Sequence, residues 1–136
     1  MKIVIDVSAA YSVIIGTPAS EHFLSRLESA TQVLAPDLFY SEAANTAWKF
    51  HHIEDLSPEE SRLLVNRAVQ LVDLFIPSEI LWEKALDLAC ELSHPTYDCL
   101  YLVLARQQKA TLLTNDKRLL KLAKAAGVAA VGPEGS

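Results

Sequence analysis

Apolar and polar positions follow two patterns that alternate along the chain. Short runs of apolar, often β-branched residues predict buried strands, and they occupy residues 2–6, 32–35, 73–76, 111–114 and 128–131. The longer segments between them carry apolar residues at helical spacing and predict helices over 8–15, 20–30, 37–53, 58–72, 79–93, 97–109 and 116–126. Because most strand runs are apolar throughout, we expect an α/β fold whose parallel sheet is covered by helices on both faces.

Local signals mark where several of these helices begin and end. Ser57 precedes a proline and stands three residues before Glu60, which is the pattern of a capping box at a helix start. Hydroxyl residues are also expected to cap three other helices, at Ser20, Ser78 and Thr96. Gly127 is expected to stop the last helix.

The composition indicates one compact domain. The 136 residues are 51% hydrophobic and 21% charged, which is enough apolar material for one core. We assign residues 1–132 to a single domain and residues 133–136 to a flexible tail.

Cys90 and Cys99 form no metal-binding motif and are expected to be small buried side chains of a protein in a reduced compartment. The N-terminus lacks a signal-peptide pattern and no run reaches about 18 apolar residues, so we expect a cytoplasmic protein without a membrane partner.

The charge balance narrows the function classes. The chain has 12 Lys and Arg residues against 17 Asp and Glu residues, a formal charge of −5. Because contacts to nucleic-acid phosphates need basic side chains, this balance counts against a broad, passive nucleic-acid-binding surface. It is compatible with an enzyme whose acidic pocket recruits cations.

Four acidic residues are expected at one edge of the sheet. Asp6 ends the first strand, and Asp116 follows the strand 111–114 by two residues. Glu42 and Asp98 lie in the first turns of helices that must start at the edge where parallel strands end. Open α/β sheets bind their ligands at that edge.

Gathering four carboxylates has a chemical reason, because Mg²⁺ and Mn²⁺ prefer oxygen ligands and relieve the repulsion between the acids. Each acid also has an ordinary interpretation when taken alone. Asp6 could be a turn residue at a strand end, Glu42 and Asp98 could favour the helix dipole, and Asp116 could cap a helix. The convergence of all four favours the metal site.

The sequence around these acids resembles a known family. The chain resembles the PIN-domain ribonucleases, in particular the VapC-type toxins of prokaryotic toxin–antitoxin pairs. The matching segments surround the four acids and read IVIDVSA, APDLFYSEAANTAWK, YDCLYLVLA and LLTNDKRL. The resemblance covers essentially the whole chain, in the family's order and spacing.

The resemblance implies a fold, a cofactor and partners. It implies a PIN-like three-layer fold with a five-stranded parallel sheet of order 3-2-1-4-5. It implies an acidic pocket that binds Mg²⁺ or Mn²⁺ and cleaves RNA, with Asp6, Glu42, Asp98 and Asp116 as catalytic and metal-binding residues. Ser8 and Thr114 match supporting hydroxyl positions of the family. The implied partners are an RNA substrate, a cognate antitoxin protein and a second copy of the chain in a homodimer.

Other residues are expected to have supporting roles. Asn45 follows Glu42 by about one helical turn and is expected to face the same pocket. Tyr97 could stack on a base, and Lys117 and Arg118 could steer phosphates, although a solvated helix face explains the two cations slightly better. The histidines have no spacing to the acids that suggests catalysis: His22, His51, His52 and His94.

Three functions compete at this point. The first is a metal-dependent endoribonuclease that hydrolyses RNA phosphodiesters at the four-carboxylate site. The second is a non-catalytic PIN-like binding module whose acids hold a structural ion. The third is a phosphotransfer or phosphatase-type α/β domain. Phosphatases of this kind carry a second Asp two residues after the first, and here that position is Ser8, which argues against this function.

Overall fold

The computed structural model describes residues 1–135 as an α/β fold around one parallel sheet. Five strands form the sheet: β1 (Lys2–Ile5), β2 (Gln32–Pro36), β3 (Leu74–Ile76), β4 (Thr111–Leu113) and β5 (Ala130–Val131). Seven helices surround it: α1 (Val7–Ile15), α2 (Ser20–Ser29), α3 (Leu38–Glu54), α4 (Pro58–Gln70), α5 (Trp82–Leu92), α6 (Thr96–Gln108) and α7 (Lys117–Ala125). The strand order is β3-β2-β1-β4-β5, which confirms the predicted class and order.

The central strand β1 divides the core into two layers. In register, Val4 pairs with Leu34 of β2 on one side and with Leu112 of β4 on the other. Val4 belongs to the core formed with α5, α6 and α7, whereas Ile3 and Ile5 belong to the core formed with α1, α3 and α4. Because successive side chains of a strand point to opposite faces, the all-apolar run of β1 produces a sheet covered on both faces.

Helix α6 is the most deeply buried helix of the fold. Every residue from 99 to 105 is buried, and the helix packs against α5 and against strands β1, β2 and β4. A helix that is apolar all round is expected in such a position. Its N-terminal turn, which carries Asp98, is thereby fixed at the edge where the strands end.

The structure confirms one of the predicted helix N-caps and contradicts three. Ser57 and Glu60 form the capping box, because each backbone N–H donates to the other's side chain, at 2.9 and 3.0 Å. The cap at Ser20 is wrong: Ala19 occupies the N-cap position, and Ser20 is the first, buried residue of α2.

The predicted caps at Ser78 and Thr96 are also wrong. Ser78 opens a short 3₁₀ turn before α5, and its hydroxyl donates instead to Asp37 at 2.5 Å. Thr96 is the first residue of α6, because the extended backbone that precedes a helix lies one residue earlier, at Pro95.

The last strand is shorter than predicted. Gly127 has a left-handed φ of 71°, and the N–H of Val128 still donates to the carbonyl of Ala123 at 2.8 Å. Strand β5 therefore begins only at Ala130. Gly135 donates to the carbonyl of Gly132 in a final turn, and Ser136 of the predicted tail lies outside the described residues.

The two cysteines have different environments. Cys99 is buried as predicted, whereas Cys90 is exposed, because it lies on the outer side of α5. Among residues 1–135, no helix combines the length and the apolar character needed to cross a membrane.

Candidate active site

A cavity of about 240 Å³ contains all four predicted acids in its wall. Asp6 follows β1, Glu42 lies on α3, Asp98 on α6, and Asp116 follows β4. The remaining wall residues are apolar or hydroxyl-bearing: Val7, Ser8, Tyr11, Thr46, Tyr101 and Leu119. The wall thus gathers carboxylates from four distant segments and includes no Lys or Arg side chain to neutralise them.

Asp6 is held by three donors. It is the N-cap of α1, and its Oδ1 accepts the N–H of Ala9 at 2.9 Å and the hydroxyl of Ser8 at 2.7 Å. Its Oδ2 accepts the hydroxyl of Thr114. Burial raises the pKa of Asp6 to about 6, with a further contribution from the negative charge of Glu42, although these hydrogen bonds act in the opposite direction.

Two hydroxyl groups connect Asp6 to the loop that carries Asp116. The oxygen of Ser8 accepts the N–H of Asn115 at 2.8 Å, and the oxygen of Thr114 accepts the N–H of Asp116 at 3.0 Å. Thr114 is completely buried. Both hydroxyls therefore lie where a supporting, hydrogen-bonding role was expected, and neither is left without a partner.

Glu42 is held by a tyrosine that the sequence interpretation missed. The phenol of Tyr101 donates to Oε1 of Glu42 at 2.5 Å. Burial raises the pKa of Glu42, the charge of Asp98 raises it further, and the bond from Tyr101 lowers it. Burial, together with the adjacent carboxylate of Glu42, raises the pKa of Tyr101 well above its ordinary value. The signal available in the sequence was spacing, because Tyr101 follows Asp98 by three residues on one helix.

Asp98 is in contact with a histidine. Nε2 of His94 lies 2.8 Å from Oδ2 of Asp98, a contact that the sequence interpretation missed. The two residues are four apart, a helical spacing, but Pro95 between them concealed it. His94 precedes the helix and still reaches the carboxylate because the extended Pro95 directs the chain into α6.

Asp116 caps helix α7. Its Oδ1 accepts the N–H of Arg118 at 2.9 Å, so the capping role and membership of the cavity wall occur together. Lys117 and Arg118 are exposed on the first turn of α7. Tyr97 is 66% exposed beside Asp98 and lies outside the cavity wall.

The predicted position of Asn45 is corrected by the structure. Asn45 is exposed, and the residue of α3 that joins Glu42 in the cavity wall is Thr46. The two candidates lie three and four residues after Glu42, and the packing of α3 selects the second. The sequence alone places both near the same face.

The donors fit a hard divalent cation in chemical kind. Carboxylates with no basic neighbour in the wall, two of them with raised pKa values, favour a cation that would relieve their desolvation and mutual repulsion. Among residues 1–135, however, no three His, Cys, Asp or Glu side chains stand together as a ready-made ion site. Each acid is instead held by its own protein donor around the cavity.

Comparison with known proteins assigns the chain to a family. Residues 3–125 match the PIN domain, and the chain belongs to the PIN domain family. No curated protein matched the chain.

Solved structures share the fold at low sequence identity. PAE2754 from Pyrobaculum aerophilum superposes with a TM-score of 0.71 at 22% identity, covering 96% of this chain and 92% of its own. VapBC-1 from nontypeable Haemophilus influenzae gives a TM-score of 0.68 at 13% identity, with 98% and 99% coverage. FitAcB from Neisseria gonorrhoeae gives a TM-score of 0.67 at 17% identity, with the same 98% and 99% coverage. At these identities the likeness demonstrates the fold alone.

Proposed function

We propose that the protein is a metal-dependent endoribonuclease that hydrolyses RNA phosphodiesters in the four-carboxylate cavity, and that it is the toxin of a toxin–antitoxin pair. The observation that carries the proposal is the convergence of Asp6, Glu42, Asp98 and Asp116 in one cavity wall without a basic side chain. Membership of the PIN domain family, whose members are generally nucleases, supports the reaction class.

The four carboxylates would hold Mg²⁺ or Mn²⁺. When bound, such a cation supplies positive charge for the phosphoryl oxygens and lowers the pKa of a water molecule. The protein's own contribution is to fix the acids before the substrate arrives, through Ser8 and Thr114 for Asp6 and through Tyr101 for Glu42. Fixed donors of this kind avoid reorganisation during the reaction.

The acids differ in how many protein donors they accept, and therefore in how many of their oxygens stay free for a cation or a water molecule. Burial and the charge of Asp98 raise the pKa of Glu42 in the metal-free protein. Asp6 also has a raised pKa, but both of its oxygens already accept hydrogen bonds from Ser8, Ala9 and Thr114. Glu42 accepts one such bond, at Oε1, from Tyr101.

Helix α7 supplies the basic surface for the RNA. Residues 117–125 include four cations and no acid, so the rest of the chain has a net charge of −9, the total of −5 less the +4 of this helix. The helix begins at Asp116 in the cavity wall, which places Lys117 and Arg118 beside the reaction site. Basic groups there attract phosphates that the acidic cavity would repel, and the exposed ring of Tyr97 offers a stacking surface for a base.

The structural neighbours support an antitoxin partner. Two of them, VapBC-1 and FitAcB, are toxin–antitoxin proteins, and we propose a cognate antitoxin for this chain by analogy. We also propose a homodimer and a cytoplasmic location. Co-expression with a short reading frame beside the gene, if one is found, followed by size-exclusion chromatography, tests the antitoxin, and chromatography of the protein alone tests the dimer.

Metal-dependent cleavage is the direct test. Purified protein is incubated with a structured RNA in Mg²⁺, in Mn²⁺ or in chelator, beside Asp98→Asn and the matched control Asp87→Asn. Asp87 is exposed on α5 and lies outside the cavity wall. We expect cleavage that requires metal, disappears in Asp98→Asn and persists in Asp87→Asn. Metal binding by the wild-type protein without cleavage of any RNA would instead favour the PIN-like binding module.

A further inference from the structure

His94 contacts one of the cavity acids from outside the cavity. Its Nε2 lies 2.8 Å from Oδ2 of Asp98, and Asp98 is in the cavity wall whereas His94 is not. From this contact we infer that His94 is a positioning residue that orients the Asp98 carboxylate for a divalent cation. The inference rests on the proposed function, because it assigns Asp98 a role as a metal ligand.

The backbone fixes His94 on both sides. Helix α5 is followed by its C-cap Ser93, which has a left-handed φ of 52°, and the N–H of His94 donates to the carbonyl of Ala89 at 3.1 Å. Pro95, the next residue, is the N-cap of α6 and has a restricted φ of −55°. The imidazole therefore starts from a backbone with little freedom, and little conformational entropy remains to be lost when it binds Asp98.

The side chains of this pair are also partly shielded from water. The relative exposure is 13% for His94 and 22% for Asp98. A hydrogen bond to a carboxylate is stronger in such an environment than on an open surface. The contact requires only a proton on Nε2, which both the neutral Nε2–H tautomer and the charged ring supply, so it does not depend on the charge of His94.

Asp98, like Glu42 with Tyr101, is held by a single side chain, whereas Asp6 and Asp116 have other donors. Asp6 has three donors, and Asp116 accepts a backbone N–H as the cap of α7. Within residues 1–135, the bond from His94 is the one hydrogen bond that reaches the Asp98 carboxylate. Without it, the carboxylate can rotate in the first turn of α6.

The expected effect is on metal affinity. Ligating carboxylates in metal sites are held by outer hydrogen-bond partners, and losing such a partner typically costs 10–100-fold in affinity or activity. His94→Leu keeps much of the volume and removes the donor, so we expect Mn²⁺ to bind roughly 10-fold or more weakly. His94→Gln places an amide N–H near the position of Nε2 and should restore most of that affinity.

Isothermal titration with Mn²⁺ alone, in the absence of RNA, measures this effect on the full chain. The variants are His94→Leu, His94→Gln and the control His52→Leu, which removes an exposed histidine that stacks on Trp48 far along α3. Circular dichroism melts establish that each variant folds. Weaker binding in His94→Leu, restored in His94→Gln and unchanged in His52→Leu, supports the positioning role. Equal affinity in His94→Leu, or equal loss in His94→Gln and His94→Leu, overturns it.

A double-variant cycle separates positioning from general structure. If His94 acts through Asp98, then His94→Leu should weaken Mn²⁺ binding in the wild-type background and cause no further loss in Asp98→Asn. An equal loss in both backgrounds overturns the inference.

Cleavage assays keep this inference distinct from the proposed function. The RNA-cleavage rate of His94→Leu should approach the wild-type rate at saturating Mn²⁺, with the activating Mn²⁺ concentration increased. Weaker Mn²⁺ binding in His94→Leu, with no RNA cleavage even by the wild-type protein, supports the inference and overturns the nuclease. RNA cleavage by the wild-type protein, with unchanged Mn²⁺ affinity in His94→Leu, supports the nuclease and overturns the inference. A wild-type protein that binds no Mn²⁺ overturns both.

Discussion

Tyr101 and Glu42, which are 59 positions apart in the sequence, meet in the cavity wall through a hydrogen bond of 2.5 Å between the phenol and Oε1. The bond joins α6 to α3, two helices on opposite faces of the sheet. Tyr101 therefore contributes both to the core, through its ring, and to the site, through its hydroxyl.

Replacing Tyr101 by Phe removes the hydroxyl and keeps the ring. Because the bond lowers the pKa of Glu42, we expect that pKa to rise in Tyr101→Phe. A lost hydrogen bond to a partly buried carboxylate costs about 1–3 kcal/mol in the free energy of unfolding at pH 7. The loss should shrink at pH values low enough to protonate Glu42, which urea unfolding at several pH values would reveal. Tyr40→Phe, at an exposed tyrosine, is the control and should show no such pH dependence.

Asp6→Asn should stabilise the metal-free protein. Burial raises the pKa of Asp6 from its ordinary value of 3.8 to about 6, so the folded state binds more protons than the unfolded state between these pH values. The contribution of Asp6 to the free energy of unfolding therefore falls as the pH rises from about 4 to about 6, by about 3 kcal/mol for a shift of this size. Asn keeps an oxygen acceptor and carries no charge, so this loss should disappear in the variant.

Denaturation in chelator at pH 4, 5, 6 and 7 measures the effect. Asp6→Asn should be more stable than wild type at pH 7 and similar to it at pH 4, and Asp87→Asn should follow wild type throughout. Addition of Mg²⁺ should raise the melting temperature of wild type more than that of Asp6→Asn. A wild-type stability that increases from pH 4 to pH 6 would contradict the assigned direction, provided that Asp87→Asn shows the same increase and Asp6→Asn does not.

Thr114→Val tests the buried hydroxyl between Asp6 and Asp116. Valine fills nearly the same volume, but it cannot donate to Asp6 or accept the N–H of Asp116. We expect a loss of about 1–3 kcal/mol at pH 7 and a further rise in the pKa of Asp6, because a bond that lowers that pKa is removed. Thr114→Ser retains the hydroxyl and should lose much less. Equal stability of Thr114→Val and wild type at pH 7 would refute a supporting role for this hydroxyl.

Neutralising Lys117 and Arg118 tests the basic surface of α7. RNA binding is measured by fluorescence anisotropy in chelator, with a labelled single-stranded RNA and the Asp98→Asn background, so that no cleavage occurs. If both cations contact phosphates, the double variant Lys117→Gln with Arg118→Gln should bind RNA with a weaker salt dependence. The slope of log K against log salt concentration should become shallower by about 1.4, at about 0.7 per contact. The charge-matched control is Arg67→Gln with Lys84→Gln, two exposed cations on α4 and α5. An equal change in both pairs would mean that only net charge matters.

The buried strands of the sheet, and the edge at which the four acids lie, could be predicted from the sequence. Apolar runs such as residues 2–5 identify buried strands, and parallel strands leave only one edge where Asp6 and Asp116 can both lie. These conclusions depend on the chain path, which the hydrophobic pattern determines. The PIN domain match over residues 3–125 agrees with them.

The partners of the acids could not be predicted in the same way. Whether Thr46 or Asn45 joins Glu42 depends on the rotation of α3 against its neighbours, which the packing of the core decides. The His94 contact depends on the extended backbone at Pro95, and the misplaced cap at Thr96 has the same origin. Side-chain direction at helix starts is set by one or two residues, and sequence patterns locate helix ends only to within a few residues.

The burial of α6 has a consequence for hydrogen exchange. The helix is enclosed by α5 and three strands, and residues 99 to 105 are shielded on every side. Backbone amides in such an element exchange with solvent only when the whole domain opens. Since Tyr101 lies within this stretch, its hydroxyl should keep its position beside Glu42 in every opening short of global unfolding.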